Sequence, residues 1–286
     1  MSALLLALIA ALGYGVSDFV GGLAARRVAV LKVVVTSYPV GMVGMALVAP
    51  FAGGSLTTPA LVFGALSGLV GGAAILCYYA ALAEGPMSVV SPLTAVLVAG
   101  IPLGAGLIMG EHLSPVALIG AGLAVVAVML VSRQKEATDS DHGVRFTPKV
   151  ALLTVASGAA FGVFFILLDQ VGAHTGMWPL LVSRTTSTVL MLIAAFFAKQ
   201  LRPPTGVPLR LALTAGLLDV VANAAFLYAL RAGLLSIVSV LTSLYPASTV
   251  LLARLVLGER TGWTQRIGLV LAATAIVMIS GAPASA

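Results

Sequence analysis

Long runs of apolar residues, separated by short polar stretches, cover almost the whole chain. A helix needs about 20 apolar residues to cross the hydrocarbon core of a bilayer, and the runs in this sequence have that length. The pattern therefore predicts ten membrane-spanning helices. They are expected at residues 3–25, 33–52, 60–82, 87–109, 115–132, 150–170, 178–198, 210–230, 235–257 and 266–282.

One polar segment is much longer than the others. It runs from Ser132 to Lys149 and contains acidic, basic and hydroxyl side chains. We interpret it as a linker between two units of five helices each. The predicted units are residues 1–132 and 150–286, with the linker at 133–149.

The two units repeat each other in sequence. The heptapeptide Ser88–Thr94 returns as Ser236–Thr242, and each copy is followed by Gly-Glu, at Gly110-Glu111 and Gly258-Glu259, with a constant offset of 148 residues. Because five is an odd number of spans, the second copy must enter the membrane from the opposite side. The predicted fold is an all-α integral membrane protein with ten transmembrane helices in two inverted five-helix repeats, an architecture that places binding sites near the midplane.

Composition excludes a soluble protein. Hydrophobic residues make up 60% of the chain and charged residues 8%, with a mean hydropathy of +1.14, whereas soluble domains carry about 25% charged residues. The net charge of +6 does not indicate nucleic acid as a partner, because the basic residues lie between apolar spans, where anionic headgroups and topology rules place them. We expect a multi-pass protein of the inner (plasma) membrane.

Lysine and arginine predict the orientation. Arg231 lies on the side of the chain termini, and Arg184 lies within a span. The positive-inside rule therefore places both termini outside the cell. The basic residues of the opposite side are Arg26, Arg27, Lys32, Arg133, Lys135, Arg145, Lys149, Lys199, Arg202, Arg210, Arg254, Arg260 and Arg266.

Several short motifs recur at matched places in both units. They are Tyr14-Gly15 with Phe161-Gly162, and Tyr78–Leu82 with Phe226–Leu230. Together with the ten spans and the Gly-Glu ends, this set resembles the EamA family of the drug/metabolite transporter superfamily over residues 3–282. Two features differ from the family pattern, which usually has Trp at position 14 and a differently placed proline in helix 4, here Pro92 and Pro102.

The resemblance implies a secondary transporter, most often an exporter of amino acids or other small metabolites, that works by alternating access. It implies a central cavity lined by helices 1, 3, 4, 6, 8 and 9. It also implies cytoplasmic termini, which the charge count contradicts. An importer of a sugar or nucleobase is the alternative function. Transport could be proton-coupled or facilitated, and the protein could be a monomer or a homodimer.

Ionisable residues at membrane depth are the first candidates for the binding site, because each costs about 2.5–3.5 kcal/mol to insert. Asp18 follows Tyr14 by one helical turn, so both point the same way. They would form a cavity wall that binds a cation or proton, or Asp18 would cap a helix end beside Arg26. Asp219 and Asn223 form a polar stripe in span 8 that is expected to face a water-filled cavity rather than lipid, and Asp219 is the first candidate for proton coupling.

Arg184 has three open interpretations. It could bind a substrate carboxylate through two parallel hydrogen bonds, neutralise Asp169 or Asp219, or extend to the headgroups.

The remaining candidates lie on spans 3, 4 and 9. Ser91, Thr94 and Thr242 could line a pore or bond neighbouring helices. Tyr79 and Tyr245 could offer ring faces to a cationic or aromatic substrate. Pro246 is expected to break helix 9, since proline frees a carbonyl one turn earlier.

Enzyme signatures are absent from the sequence. It contains no Walker loop and no Gly-x-Ser-x-Gly elbow, and its three histidines have no metal-ligand spacing. We therefore expect no catalytic residue, metal or cofactor. Glu111 and Glu259 follow helix ends, which favours loop locking over transport chemistry. A membrane-embedded enzyme and a channel are the rival classes.

Overall fold

The computed structural model describes residues 3–25, 27–84, 87–131, 147–245, 247–248, 252 and 262–281. These residues form ten α-helices and two short 3-10 helices, without a strand in the ranges described. The α-helices are α1 (Ala3–Ala25), α2 (Val30–Val48), α3 (Thr58–Glu84), α4 (Met87–Ile108), α5 (Pro115–Val131), α6 (Pro148–Asp169), α7 (Trp178–Phe197), α8 (Val207–Ala232), α9 (Leu235–Thr242) and α10 (Trp263–Gly281).

Six of these helices are long and apolar enough to cross a membrane: α1, α2, α3, α6, α7 and α8. Shorter apolar stretches of 10–17 residues lie in α4, α5 and α10. Large apolar side chains on the outside are strongly exposed, such as Phe197 at 78% and Val277 at 69%. Water would penalise such a surface and lipid would not, so the fold is that of a multi-pass membrane protein.

The predicted ninth span differs most from the observed helix. α9 ends at Thr242, and the N–H groups of Ser243 and Leu244 turn back to the carbonyl oxygens of Ser239 (2.9 Å) and Leu241 (3.2 Å). The break precedes Pro246 by one turn, in line with the predicted effect of proline. Pro246 and most of the predicted span after it lie outside the described residues.

Helix pairing relates the two halves of the chain. α1 packs along α8, and α3 packs along α6. Because each half has five helices, α1 corresponds to α6 and α3 corresponds to α8. The pair α1–α8 is therefore equivalent to the pair α6–α3. By the same correspondence, each of the observed pairs α2–α7, α4–α9 and α5–α10 joins two equivalent helices.

Two glycines at equivalent repeat positions permit close helix approach. A Cβ atom at Gly68 of α3 would overlap the carbonyl oxygen of Ser183 in α7. A Cβ atom at Gly216 of α8, 148 residues later, would overlap the carbonyl oxygen of Ser37 in α2. Each helix pair therefore packs backbone against backbone, as small residues allow in membranes.

The ends of the bundle differ in packing. At the end that carries Ala3, which we call the termini end, the loops before α3, α5, α7 and α9 meet, and one large apolar core extends from there through the middle. At the opposite end, the linker end, two smaller groups of buried residues are separate from this core and from each other in the described part of the chain. They are centred on Ala24, Val33 and Ala212, and on Ala81, Val90 and Val150.

Candidate functional site

The polar centre of the bundle is an ion pair between Arg184 of α7 and Asp219 of α8. A guanidinium nitrogen (Nη2) of Arg184 contacts Oδ2 of Asp219, and the two side chains are 13% and 24% exposed. Asp219 lies near the middle of α8, and Arg184 lies in the second turn of α7. Of the alternatives for Arg184, the structure shows neutralisation of Asp219. Asp169 lies elsewhere, at the end of α6.

Tyr38 of α2 completes this centre and was not predicted from the sequence. The Arg184 guanidinium carbon lies 5.2 Å from the centroid of the Tyr38 ring, within the range of a cation–π contact. Gly41 follows one turn later, and even a Cβ atom there would lie 3.7 Å from Arg184 Cδ and 3.9 Å from Asp219 Oδ2. These are ordinary contact distances, so the α2 backbone at Gly41 lies directly beside the ion pair.

Asp18 and Tyr14 of α1 face the same centre. Asp18 is exposed, and its charged neighbour is Asp219. Tyr14 is within electrostatic range of Asp18, Arg184 and Asp219, and its hydroxyl is buried without a hydrogen-bond partner in the described residues. Asp18 precedes the end of α1 at Ala25 by seven residues, so it does not cap that end, and the cavity interpretation fits its position better.

Asn223 occupies a different environment from the one predicted. Its side chain is 2% exposed, and its Nδ2 donates to the backbone carbonyl oxygen of Asp219 at 2.8 Å. The amide bonds its own helix rather than facing open space. Its position predicts a role in holding the α8 backbone at Asp219, not direct contact with a solute.

The other candidates lie on α3, α4 and α9 or directly after α9. Thr94 and Thr242 are each 1% exposed, and their hydroxyls have no partner in the described part of the chain. Tyr245 follows the break after α9 and has Asp18 and Tyr78 as electrostatic neighbours. The side chains of Tyr79 and Ser91 lie outside the described residues.

The repeat-related side of the bundle carries aromatic residues instead of charges. Phe161 and Phe165 of α6 occupy the positions that correspond to Tyr14 and Asp18 of α1. The ring centroid of Phe165 lies 4.1 Å from that of Phe226, and Tyr78 contacts Phe161 edge-on at 6.5 Å. The charged groups are therefore concentrated on one side of the centre.

Metal chemistry finds no support in the described residues. No group of three or more His, Cys, Asp or Glu side chains lies together there in a way that could hold an ion. The polar centre can instead bind opposite charges, through one guanidinium and two carboxylates, and the Tyr38 ring lies against the guanidinium.

Comparison with known proteins identifies the family of this chain. The model of the EamA-like transporter family matches residues 1–133 and 148–281. A solved structure titled only "Crystal structure of protein" superposes with a TM-score of 0.77 at 17% sequence identity, over 98% of each chain. This likeness shows a shared fold. No curated protein matches the sequence.

The two matched segments coincide with the two halves that the helix pairing relates. Together they cover nearly the whole chain, so the protein belongs to the EamA-like transporter family and is a multi-pass membrane transporter of the drug/metabolite transporter superfamily.

Proposed function

We propose that this transporter carries a small zwitterionic metabolite, such as an amino acid, by alternating access through a cavity between two inverted five-helix repeats, residues 1–132 and 150–286. The pairing of α1 with α8 and of α3 with α6 supports the repeat. The equivalent contacts of Gly68 and Gly216 support it independently. In this proposal the linker end faces the cytoplasm, because the described basic residues other than Arg184 and Arg231 lie there.

The observation that carries the choice of solute is the Arg184–Asp219 ion pair with Asp18 beside it. A solute carboxylate would replace Asp219 on the Arg184 guanidinium, which binds carboxylates through two parallel hydrogen bonds. The solute ammonium group would then bind Asp219 and Asp18. When Asp18 carries a proton, a molecule with both charges compensates Arg184 and Asp219 together, whereas an anion or a cation leaves one charge unbalanced in a low-dielectric region.

The driving force is the gradient of the solute itself or a proton gradient. The charge of Asp219 is balanced by Arg184, while the charged neighbour of Asp18 is a second carboxylate. A proton or an ammonium group would balance Asp18. We therefore propose that Asp18, rather than Asp219, carries the coupled proton. The groups that face Asp18 are Tyr14 on its own helix, Tyr38, Asp219 and Tyr245.

Counterflow in proteoliposomes tests this function. Vesicles containing the purified protein are loaded with unlabelled solute and tested with a labelled panel of amino acids, sugars and nucleobases. We expect saturable counterflow for a zwitterion. Counterflow of sugars or nucleobases alone would replace the proposed solute class, and flux without saturation would indicate a channel.

A further inference from the structure

Glu111 makes a contact that the proposed binding site does not use. It follows Gly110, whose φ of 94° turns the chain sharply after α4. Its Oε1 accepts a hydrogen bond from the Leu235 N–H at 2.6 Å, and its Oε2 accepts one from the Ser236 N–H at 3.0 Å. These amides open α9 and have no partner within that helix. The negative charge also suits the positive end of a helix.

The contact joins the two halves of the chain across the α4–α9 pair. Glu111 and Leu235 are 124 residues apart in sequence. Ser236 strengthens the junction, because its hydroxyl donates to the Leu103 carbonyl oxygen in α4 at 3.2 Å. A Cβ atom at Gly106 would overlap both the Glu111 carboxylate and the Ser236 hydroxyl. The last turns of α4 are thus shaped around this contact.

A second junction lies at the same end of the bundle. Arg231, at the end of α8, donates to the Thr175 hydroxyl at 3.0 Å and to the Gly176 carbonyl oxygen. The neighbouring His174 carbonyl oxygen accepts from the Ser55 N–H at 3.1 Å. Loops from both halves therefore close the termini end.

The described residues of the linker end form smaller buried groups. Its buried apolar residues form two separate groups in the described part of the chain, whereas the core at the termini end is single. Glu111 thus holds α9 at the end of the bundle where the described apolar core is single.

We infer that Glu111 is a positioning residue for transport that latches the termini end shut by holding the start of α9 and must release it when the carrier opens toward that end. The inference rests on the proposed alternating access. Water can replace both hydrogen bonds, on the carboxylate as well as on the amides. The contact can therefore form and break in each transport cycle.

Labelling of a buried reporter from one side tests the latch without any solute. Cys77, the only cysteine, is replaced by alanine, and Ala99→Cys places a thiol in α4, where Ala99 is fully buried. A membrane-impermeant maleimide is added at the termini end only. We expect Glu111→Ala to raise the labelling rate roughly tenfold or more, and Glu111→Gln, which keeps one acceptor oxygen, to raise it less.

Two controls separate a latch from a damaged fold. Asp169→Asn removes a carboxylate that is an electrostatic neighbour of Glu111 and that accepts a hydrogen bond from Gln170 rather than from the amides of α9, so it should leave the labelling unchanged. A reporter at the linker end, Ala81→Cys, should label no faster in the Glu111 variants when the reagent is added at that end, whereas general loosening would accelerate both reporters.

Unchanged labelling of Ala99→Cys in a monodisperse Glu111→Ala protein would overturn the inference, and so would equal acceleration at both ends. Where Glu111→Ala does not give monodisperse protein, the isosteric Glu111→Gln variant decides on the same criterion. Because the assay contains no solute, a failed latch and a wrong solute class give different results: the first leaves zwitterion counterflow intact, and the second leaves the labelling pattern intact.

Discussion

At the scale of single residues, the charged residues of the site were easier to predict than the residues that they contact. Asp219 and Arg184 stood out because charges at membrane depth are costly. Their pairing follows from the packing of α7 against its neighbours, which no local spacing reveals. Tyr38 was missed because a tyrosine among apolar residues is ordinary in a membrane helix. The hydrogen bond from Asn223 back to the Asp219 carbonyl oxygen was equally invisible without backbone geometry.

The role of Tyr38 can be tested by separating its ring from its hydroxyl. Tyr38→Leu removes the aromatic face under Arg184, a contact worth about 0.5–2 kcal/mol, and should weaken solute binding about 2- to 30-fold. Tyr38→Phe retains the ring and should lose less. Solute affinity measured by calorimetry in detergent distinguishes the two variants. Equal losses in both would assign the effect to the hydroxyl rather than to the ring.

At the scale of helices, boundaries were predictable because most charged residues lie in the predicted loops or near the ends of the predicted spans. Observed helix ends lie within four residues of the predicted ones for all but the ninth. In that element the chain leaves the helix at Ser243, before the proline that explains the break. The close approach of α2 to α8 and of α3 to α7 depends on Gly216 and Gly68, whose repetition in sequence is visible but whose partners are not.

Packing at the equivalent glycines gives a stability prediction. Gly216→Ala would place Cβ against the carbonyl oxygen of Ser37, and overpacking of this kind costs about 1–3 kcal/mol. The Tm in detergent should fall. Gly104→Ala is the matched control, since a Cβ there meets nothing within 4 Å, and alanine favours a helix. If Gly104→Ala lowered the Tm and Gly216→Ala left it unchanged, the observed packing would be contradicted.

At the scale of the whole molecule, the repeat in sequence predicted the pairing of helices better than it predicted the site. A site built on a strict two-fold repeat would carry the same groups on both sides. Here α1 bears Tyr14 and Asp18, whereas α6 bears Phe161 and Phe165 at the matching positions. The two halves differ in chemistry at these positions while they share their helix pairing, and in the proposed function the charged side selects the solute.

Coupling to protons belongs to this scale, because it links the site to a gradient across the membrane. Asp18→Asn should abolish the response of transport to an imposed pH gradient while counterflow without a gradient continues. Asp169→Asn, at the termini end, is the control and should keep the response. If the Asp18→Asn protein responds to the gradient like the unaltered protein, Asp18 does not carry the proton.

The central claim is that Arg184 and Asp219 bind the two charges of a zwitterion. It is tested most directly by competition in the counterflow assay, with a transported amino acid and its analogue lacking the carboxylate. The account predicts that the unaltered protein prefers the amino acid at least about tenfold, since a charge-assisted pair contributes about 1.5–3 kcal/mol, and that Arg184→Gln loses this preference. An unchanged preference in folded Arg184→Gln protein would contradict the account.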